Sequence, residues 1–317
     1  MITDKSNGCE VKRRKTVFAP VIITTTSSLT PPGRAAHQSR SANNLRQPWH
    51  RLSSGDCDRM ASPKLKAVLL MADYGNDPTE VATPFTVFEQ AGFEVSFATE
   101  TGKVPECDER MLKGWTGKLL GAPAVAVEQH AAMIKTATYQ RPVSWTSPGF
   151  SLKDYDLVFL PGGHDKHMKQ YITSGLLHKH LAEYMPLTKK GSSSSKAAAA
   201  VCHGVQTLAT ADAADGSGNS VIYDFVTTSL TNFMENSAFW GTRLFLGDYY
   251  KTFGYGTPNV EEAVKMRLRD PEKQYKSSAT LSPFVVHDPN YNYLSGRFPG
   301  DADRLAKETV KMVNSLH

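Results

Sequence analysis

Cys202 and His203 are neighbours in AAAAVCHGVQTLA (197–209), which puts a thiol beside a base. A cysteine becomes a nucleophile when a base, a positive charge or a helix N-terminus favours its thiolate. The flanks suit that use. Ala197 to Val201 is an apolar run of strand length, and His203 to Ala211 carries a helical pattern. Ala200 and Gly204 sit at −2 and +2 of Cys202, close to the G-x-nucleophile-x-G form of a nucleophile elbow. Small neighbours let the chain fold back there, and the helix aims its N-terminus at the sulfur. Read by pattern alone, the stretch is equally compatible with a buried, inert cysteine.

Other candidate residues lie where strands should end. DPTEVATPFTVFEQAG (77–92) reads as a helix with Val81, Phe85, Phe88 and Ala91 on one face and Gly92 as its stop. Asp77, Pro78 and Glu80 fall at N-cap, N1 and N3, a capping-box arrangement that by itself explains Glu80. YDLVFLPGGH (155–164) is a strand running into a glycine turn. The N–H groups of Gly162 and Gly163 are candidates for half of an oxyanion hole, with His203 N–H as the other half. His164 follows at the pocket mouth. His167, His178 and His180 share one helical stretch and read as solvated or capping side chains, so no metal site is expected.

These residues need elements to carry them. KAVLLMA (66–72) is a strand buried on both faces, and FEVSFAT (93–99) is the next strand. Further strands are expected at Val221–Thr227, Phe284–Val286 and Tyr291–Ser295, and amphipathic helices at Asn259–Arg269 and Asp301–Leu316. Strands alternating with helices imply an α/β three-layer sandwich, a mainly parallel sheet with helices on both faces. Ligands in such folds bind beyond the carboxyl ends of the strands. The segment Cys107–Pro148 fits no regular βα unit and reads as an insertion, near 105–148, that roofs the site. The aromatic stretch Phe239–Tyr255 reads as core or dimer surface, and Arg243 is its candidate for binding an anionic substrate.

Charge and cysteine usage narrow the class. The chain carries +5, but residues 1–59 hold ten Lys or Arg against four Asp or Glu, a net +6 that leaves −1 for the rest. The folded part therefore gives no electrostatic reason to expect nucleic acid as a partner. No apolar run approaches the roughly 18 residues of a membrane span. Four scattered cysteines without a CxxC pair argue against a disulfide framework and a zinc knuckle. Residues 1–62, with the cluster Lys12–Lys15 and few periodic apolar positions, read as a disordered basic extension before one domain at 63–317. Met60 opens MASPKLKAVLL and is a plausible second start. Cytoplasm is the expected compartment. The basic cluster makes the nucleus a second reading, and Asp4 and Glu10 disfavour a mitochondrial presequence.

AAVCHG, FLPGGH and TEVATPF, in that chain order, resemble the DJ-1/PfpI superfamily of class I glutamine amidotransferase-like proteins. The resemblance spans residues 65 to 315 and is strongest to the Hsp31-like branch with its glyoxalase III and chaperone activities. It implies a flavodoxin-like fold and assigns Cys202 as nucleophile and His203 as its adjacent histidine. It assigns Glu80, four residues before the helical Pro84, as the carboxyl that hydrogen-bonds the cysteine sulfur. Glu235, in LTNFMENSA, falls where the family places the third triad member. His287 precedes Asp288 and Pro289 rather than standing two before a glutamate, so the amidotransferase triad order is not reproduced.

Three functions follow. The first is a cysteine-dependent, cofactor-free enzyme converting a 2-oxoaldehyde to a hydroxy acid without glutathione, or a related hydrolase acting on an amide or acyl group. His203 and Glu80 are its proton carriers. The second is a stress protein without turnover, in which Cys202 is an oxidisable sensor or the fold is a holdase. The third, a glutaminase domain, is disfavoured by the position of His203 and by the lack of a synthetase domain. No dinucleotide or P-loop motif is present, and a homodimer is the expected assembly.

Overall fold

A computed structural model of the chain describes residues 64–114 and 121–317. The basic extension at 1–62 and the second start at Met60 lie outside these residues. Seven strands form one sheet, in the order β5-β3-β1-β6-β7-β9-β8. They are β1 (Lys66–Leu70), β3 (Glu94–Thr99), β5 (Val143–Ser144), β6 (Leu157–Leu160), β7 (Ala197–Val201), β8 (Val285–His287) and β9 (Tyr293–Gly296). All neighbours run parallel except β8 and β9. A two-stranded parallel ribbon, β2 (Tyr74–Asn76) with β4 (Glu106–Cys107), stands apart.

Period-two alternation sorts the strand residues between two cores. Ala67, Leu69, Leu157, Phe159, Ala199 and Val201 pack on one face, with Phe85 and Phe88 of α1 (Pro78–Gln90) and Leu305 and Val313 of the C-terminal helix Ala302–Asn314. Val68, Leu70, Val158, Leu160, Ala198 and Ala200 pack on the other. There they meet Leu177 and Leu181 of helix Gly175–Tyr184 and Val205 and Leu208 of helix His203–Thr210. Both faces are covered, which makes the molecule a flavodoxin-like three-layer sandwich. The central β7 is almost all alanine, which lets the covering helices approach closely, as the packing at the elbow requires.

Several expectations change. Val221–Thr227 is not a strand but a run of turns with one isolated bridge, Thr227 to Tyr275. Its backbone bonds are those of turns and scattered partners instead of a ladder: Val221 N donates to Ala211 O (2.9 Å), Thr227 N to Gln274 O (3.0 Å) and Val226 N to Asp288 Oδ2 (2.6 Å). β9 is already paired on both edges, by β7 and β8, so this segment has no ladder to join. Ala91 is exposed, because the helix ends at Gln90 and turns at Gly92 with φ +88°. The 105–148 insertion is only partly a roof. Its helix α2 (Ala124–Met133) lies on α1, where Thr83 Oγ1 donates to Gln129 Oε1 (2.8 Å), and Val143–Ser144 extends the sheet.

One buried ion pair shapes the rim of the site. Arg297 and Asp301 are both fully buried and joined through Nε and Nη2 (2.9 Å each). The same guanidinium donates to the carbonyls of Ser278, Thr280 and Ser282. It therefore clips the 278–282 loop to the turn that presents Phe298, Pro299 and Gly300. Removing one partner of such a pair strands a buried charge. Arg297→Met is expected to cost about 3–5 kcal/mol in urea unfolding; a loss below about 1 kcal/mol would show that the clip is dispensable.

Candidate active site

Cys202 follows the last residue of β7 and has φ 57° and ψ −125°. It is the one non-glycine residue with positive φ among those described. Strain of this kind costs of order 1–3 kcal/mol and persists only where the surroundings enforce it. Here two glycines permit the enforcement. A Cβ on Gly204 would lie 2.0 Å from the carbonyl oxygen of Leu160, and one on Gly162 would meet His203 N at 2.7 Å and Cys202 Cβ at 2.8 Å. The elbow and the end of β6 thus touch backbone to backbone, which only glycine at both places allows. The expectation of an elbow is met, and the thiol is not an ordinary core group.

The thiol forms part of the wall of a cavity of about 310 Å³. Polar groups converge around it from Asp77, Glu80, His164, Glu235 and Tyr250. Met111, Pro123, Leu230, Met234 and Phe298 supply apolar wall. Among the described residues, Met111, Gly121 and Pro123 are the part of the insertion that lines the cavity, so the roofing expectation holds for these three.

Glu80 does not close a capping box. Asp77 caps the helix as expected, its Oδ1 accepting from Thr79 N (2.8 Å) and Glu80 N (3.1 Å). The N–H of Asp77, however, donates to Gly162 O (2.9 Å), and the Glu80 carboxyl reaches across to accept from Gly162 N (2.8 Å) through Oε2. Its Oε1 is buried without a well-aligned partner, and the Cys202 side chain interacts with the same carboxyl. Burial, with Asp77 as the next cause, pushes the Glu80 carboxyl well above the usual range. Asp77 itself rises to about 6, chiefly by burial. Burial thus favours the protonated form of Glu80, and since Oε2 accepts from Gly162 a proton on this carboxyl belongs on Oε1.

His203 Nδ1 lies 3.4 Å from Cys202 Sγ, so the adjacent pair does converge. The rest of the expected triad does not. Glu235 sends Oε1 to Lys251 Nζ (3.0 Å) and takes Val260 N on Oε2 (2.9 Å). His203 Nε2 faces Thr252 Oγ1 at 3.0 Å instead. Glu235 thus lines the cavity but is not the partner of the imidazole. Thr252 was missed because no spacing rule links it to residue 203; its only signal was membership of an aromatic-rich segment. Burial pushes the imidazole down to about 3, with His164 and Lys251 adding to the shift, so it is neutral. Burial, then Glu80 and Asp77, pushes the Cys202 thiol up.

The proposed oxyanion donors separate. Gly162 N–H is taken by Glu80, which removes it from the candidate set. The N–H groups of Gly163 and His203 donate to no carbonyl among the described residues. His164 is buried, stacks on Tyr250 (4.4 Å) and is held near a pKa of about 4 by burial. Arg243 does not line the cavity; its guanidinium lies over Phe239, Trp240 and Tyr255. His287 is at the surface against Glu308, away from the thiol. Among the described residues no cluster of three or more His, Cys, Asp or Glu side chains is arranged to hold a metal ion.

Residues 71–279 match the sequence model described as ThiJ/PfpI family-like. A Schizosaccharomyces pombe relative, uncharacterized protein C14C4.04, is 29% identical over 258 residues, covering 80% of this chain and 86% of its own length. Among solved structures, glyoxalase III from Candida albicans is 17% identical, with a TM-score of 0.56 over 78% of this chain and 97% of its own. The Francisella tularensis Rapid Encystment Protein 24 KDa is 16% identical, with a TM-score of 0.53 over 78% of this chain and 99% of its own. At such identities the likeness to the two solved structures is one of fold.

A raised thiol pKa has a direct consequence. The thiolate fraction of Cys202 at pH 7 is small, and its alkylation by iodoacetamide should still be accelerating above pH 9. Peptide-level mass spectrometry over a pH series checks this. A rate that has levelled off by pH 7 would mean a preformed thiolate and contradict the electrostatics described.

Proposed function

We propose, from the premise that this chain belongs to the ThiJ/PfpI-like family, that it is a cysteine-dependent enzyme converting 2-oxoaldehydes to 2-hydroxy acids without glutathione. The observation that carries the reading is the strained Cys202 in the cavity wall, with His203 Nδ1 3.4 Å from its sulfur and the buried Glu80 carboxyl lining the same cavity. The likeness in fold to Candida albicans glyoxalase III supports the choice of chemistry.

The groups divide the reaction as follows. Thiol and imidazole are both neutral at rest, so the proton leaves sulfur as the carbon–sulfur bond forms, with His203 Nδ1 accepting it. Attack on the aldehyde carbon C1 gives an oxyanion, and in this reading the N–H groups of Gly163 and His203 receive it. Glu80 Oε1 protonates that oxygen and yields a hemithioacetal. The resulting carboxylate takes the C1 proton and returns it to C2, and the C1 hydroxyl proton passes to the C2 oxygen. This converts the adduct to a 2-hydroxy thioester, and water then releases the acid and regenerates Cys202. Electrons move only from C1 to C2, so no external oxidant or reductant enters. The apolar wall of Met234, Leu230 and Phe298 suits a substrate with an apolar arm.

A second reading, a holdase, is favoured by one observation. The helix Asn232–Leu246 exposes Phe233, Trp240, Leu244 and Phe245, with Leu244 99% exposed. Such exposure is unusual on an isolated soluble domain.

Incubation of the full chain with methylglyoxal in the absence of glutathione should give lactate. Cys202→Ala should lower turnover by at least about a thousandfold and Glu80→Ala by about a hundredfold or more. Absence of turnover across several 2-oxoaldehydes, with suppression of citrate synthase aggregation by the Cys202→Ala protein, would replace the enzyme reading with the holdase.

A further inference from the structure

We propose that Thr252 is the positioning residue of this site: its hydroxyl, held by the carbonyl of His164, accepts the Nε2–H of His203 and so fixes the tautomer whose Nδ1 lone pair faces the Cys202 thiol. The inference rests on Cys202 being the nucleophile, but on no particular substrate.

The argument is one of hydrogen-bond polarity. A hydroxyl has a single proton, whereas a carbonyl can only accept. Thr252 Oγ1 lies 2.8 Å from the carbonyl oxygen of His164, so the hydroxyl proton is committed there. Toward His203 Nε2, at 3.0 Å, the same oxygen has only lone pairs to offer. Nε2 must then carry the hydrogen of the neutral ring. Nδ1, 3.4 Å from Cys202 Sγ, is left bare and able to accept the thiol proton. The sequence of donors runs one way, from Cys202 S–H to Nδ1, from Nε2–H to Thr252, and from Thr252 to His164. Reversing the tautomer would turn the hydroxyl toward Nε2 and leave the His164 carbonyl, which receives no other donor among the described residues, without a partner.

Thr252 is itself buried and is placed by the residues around it. Asp248 is tied to Lys166 (2.9 Å), and the hydroxyl of Tyr249 donates to Asp108 Oδ2. Lys251 is held by Glu235 Oε1 (3.0 Å) and by Asn259. Glu235 therefore acts through Lys251 on the residue next to it, one step removed from the triad role that the family pattern assigns. A hydroxyl partner also differs in kind from a carboxylate. It orients the ring but adds no charge to stabilise an imidazolium, which matches a ring held neutral. The ionisable groups acting on this imidazole are His164 after β6 and Lys251 on the tethered segment, with Cys202 in contact; Glu80 and Asp77 of the first helix and its cap and Glu235 act on the thiol.

Three measurements on the full chain test the proposal. Long-range hydrogen–nitrogen correlation on protein labelled with ¹⁵N-histidine, with His203 assigned by its loss in His203→Gln, should show a pyrrole-like Nε2 and a pyridine-like Nδ1. Chloroacetamide alkylation of Cys202 between pH 6 and 8 should slow by about tenfold or more in Thr252→Val, because the neutral-pH component carried by the imidazole is lost. The remaining rate should rise in proportion to hydroxide. Thr252→Ser, which keeps the hydroxyl, should restore the wild-type profile. A wild-type ring protonated at Nδ1, or a Thr252→Val protein with unchanged rate and pH profile, overturns the proposal. If Thr252→Val fails to fold, the wild-type spectrum and Thr252→Ser still decide. None of these readouts uses an aldehyde, so failure of 2-oxoaldehyde turnover with these results intact would remove the substrate reading and leave this one standing.

Discussion

The near-contact of two backbones, at Gly204 against Leu160 and at Gly162 against Cys202 and His203, is the constraint on which the rest of the site depends. Parallel strands in register bring the ends of β6 and β7 to the same level, since Leu160 pairs with Ala200. The chain leaving β7 must then turn sharply to begin a helix, and glycine is the residue that lets the two turns share the space. The positive φ of Cys202 follows from that crowding rather than from any preference of cysteine. Once the turn is set, the thiol stands over the sheet edge and the first N–H groups of the following helix point past it.

The same crowding organises the electrostatics. The Gly162 turn receives Asp77 N–H on its carbonyl and gives its own N–H to Glu80, so β6 and α1 are stitched by a reciprocal pair of bonds. Glu80 is thereby buried beside another carboxylate, which keeps its proton on. Two effects act on the carboxyl in opposite directions. The Gly162 N–H and the neighbouring Cys202 side chain favour the charged form, while burial and Asp77 oppose it, and burial and Asp77 are the larger causes. A buried neutral imidazole, a carboxyl pushed toward its neutral form and a thiol with a raised pKa leave little charge on the site at rest. Charge appears only during attack, where fixed dipoles in a dry cavity act most strongly.

The composition of the site explains why it draws on distant parts of the chain. Cys202 and His203 come from the elbow, Glu80 from the first helix, Gly163 from the loop after β6 and Thr252 from a run of turns that side chains tether to the rest. Phe298 to Gly300 complete the wall and depend on the Arg297–Asp301 pair. A site assembled this way is sensitive to tethers that never touch a substrate.

Local sequence determined the layered fold and the elbow. Period-two apolar runs separated by helical patterns can bury themselves only as a covered parallel sheet, and small residues around Cys202 leave one economical way to turn. Those are short-range facts, legible from spacing. The sequence also placed Glu80 correctly, though its capping pattern suggested the wrong partner, because capping is a local rule and Gly162 is 82 residues away. Three outcomes belonged to tertiary structure alone. Val221–Thr227 has strand composition but finds both edges of β9 occupied. Glu235 has the right type for a triad but is claimed by Lys251 and Val260 N–H. Thr252, unremarkable in its own segment, meets the imidazole because a chain of side-chain tethers carries it there. In each case long-range pairing chose among partners that local pattern left equivalent.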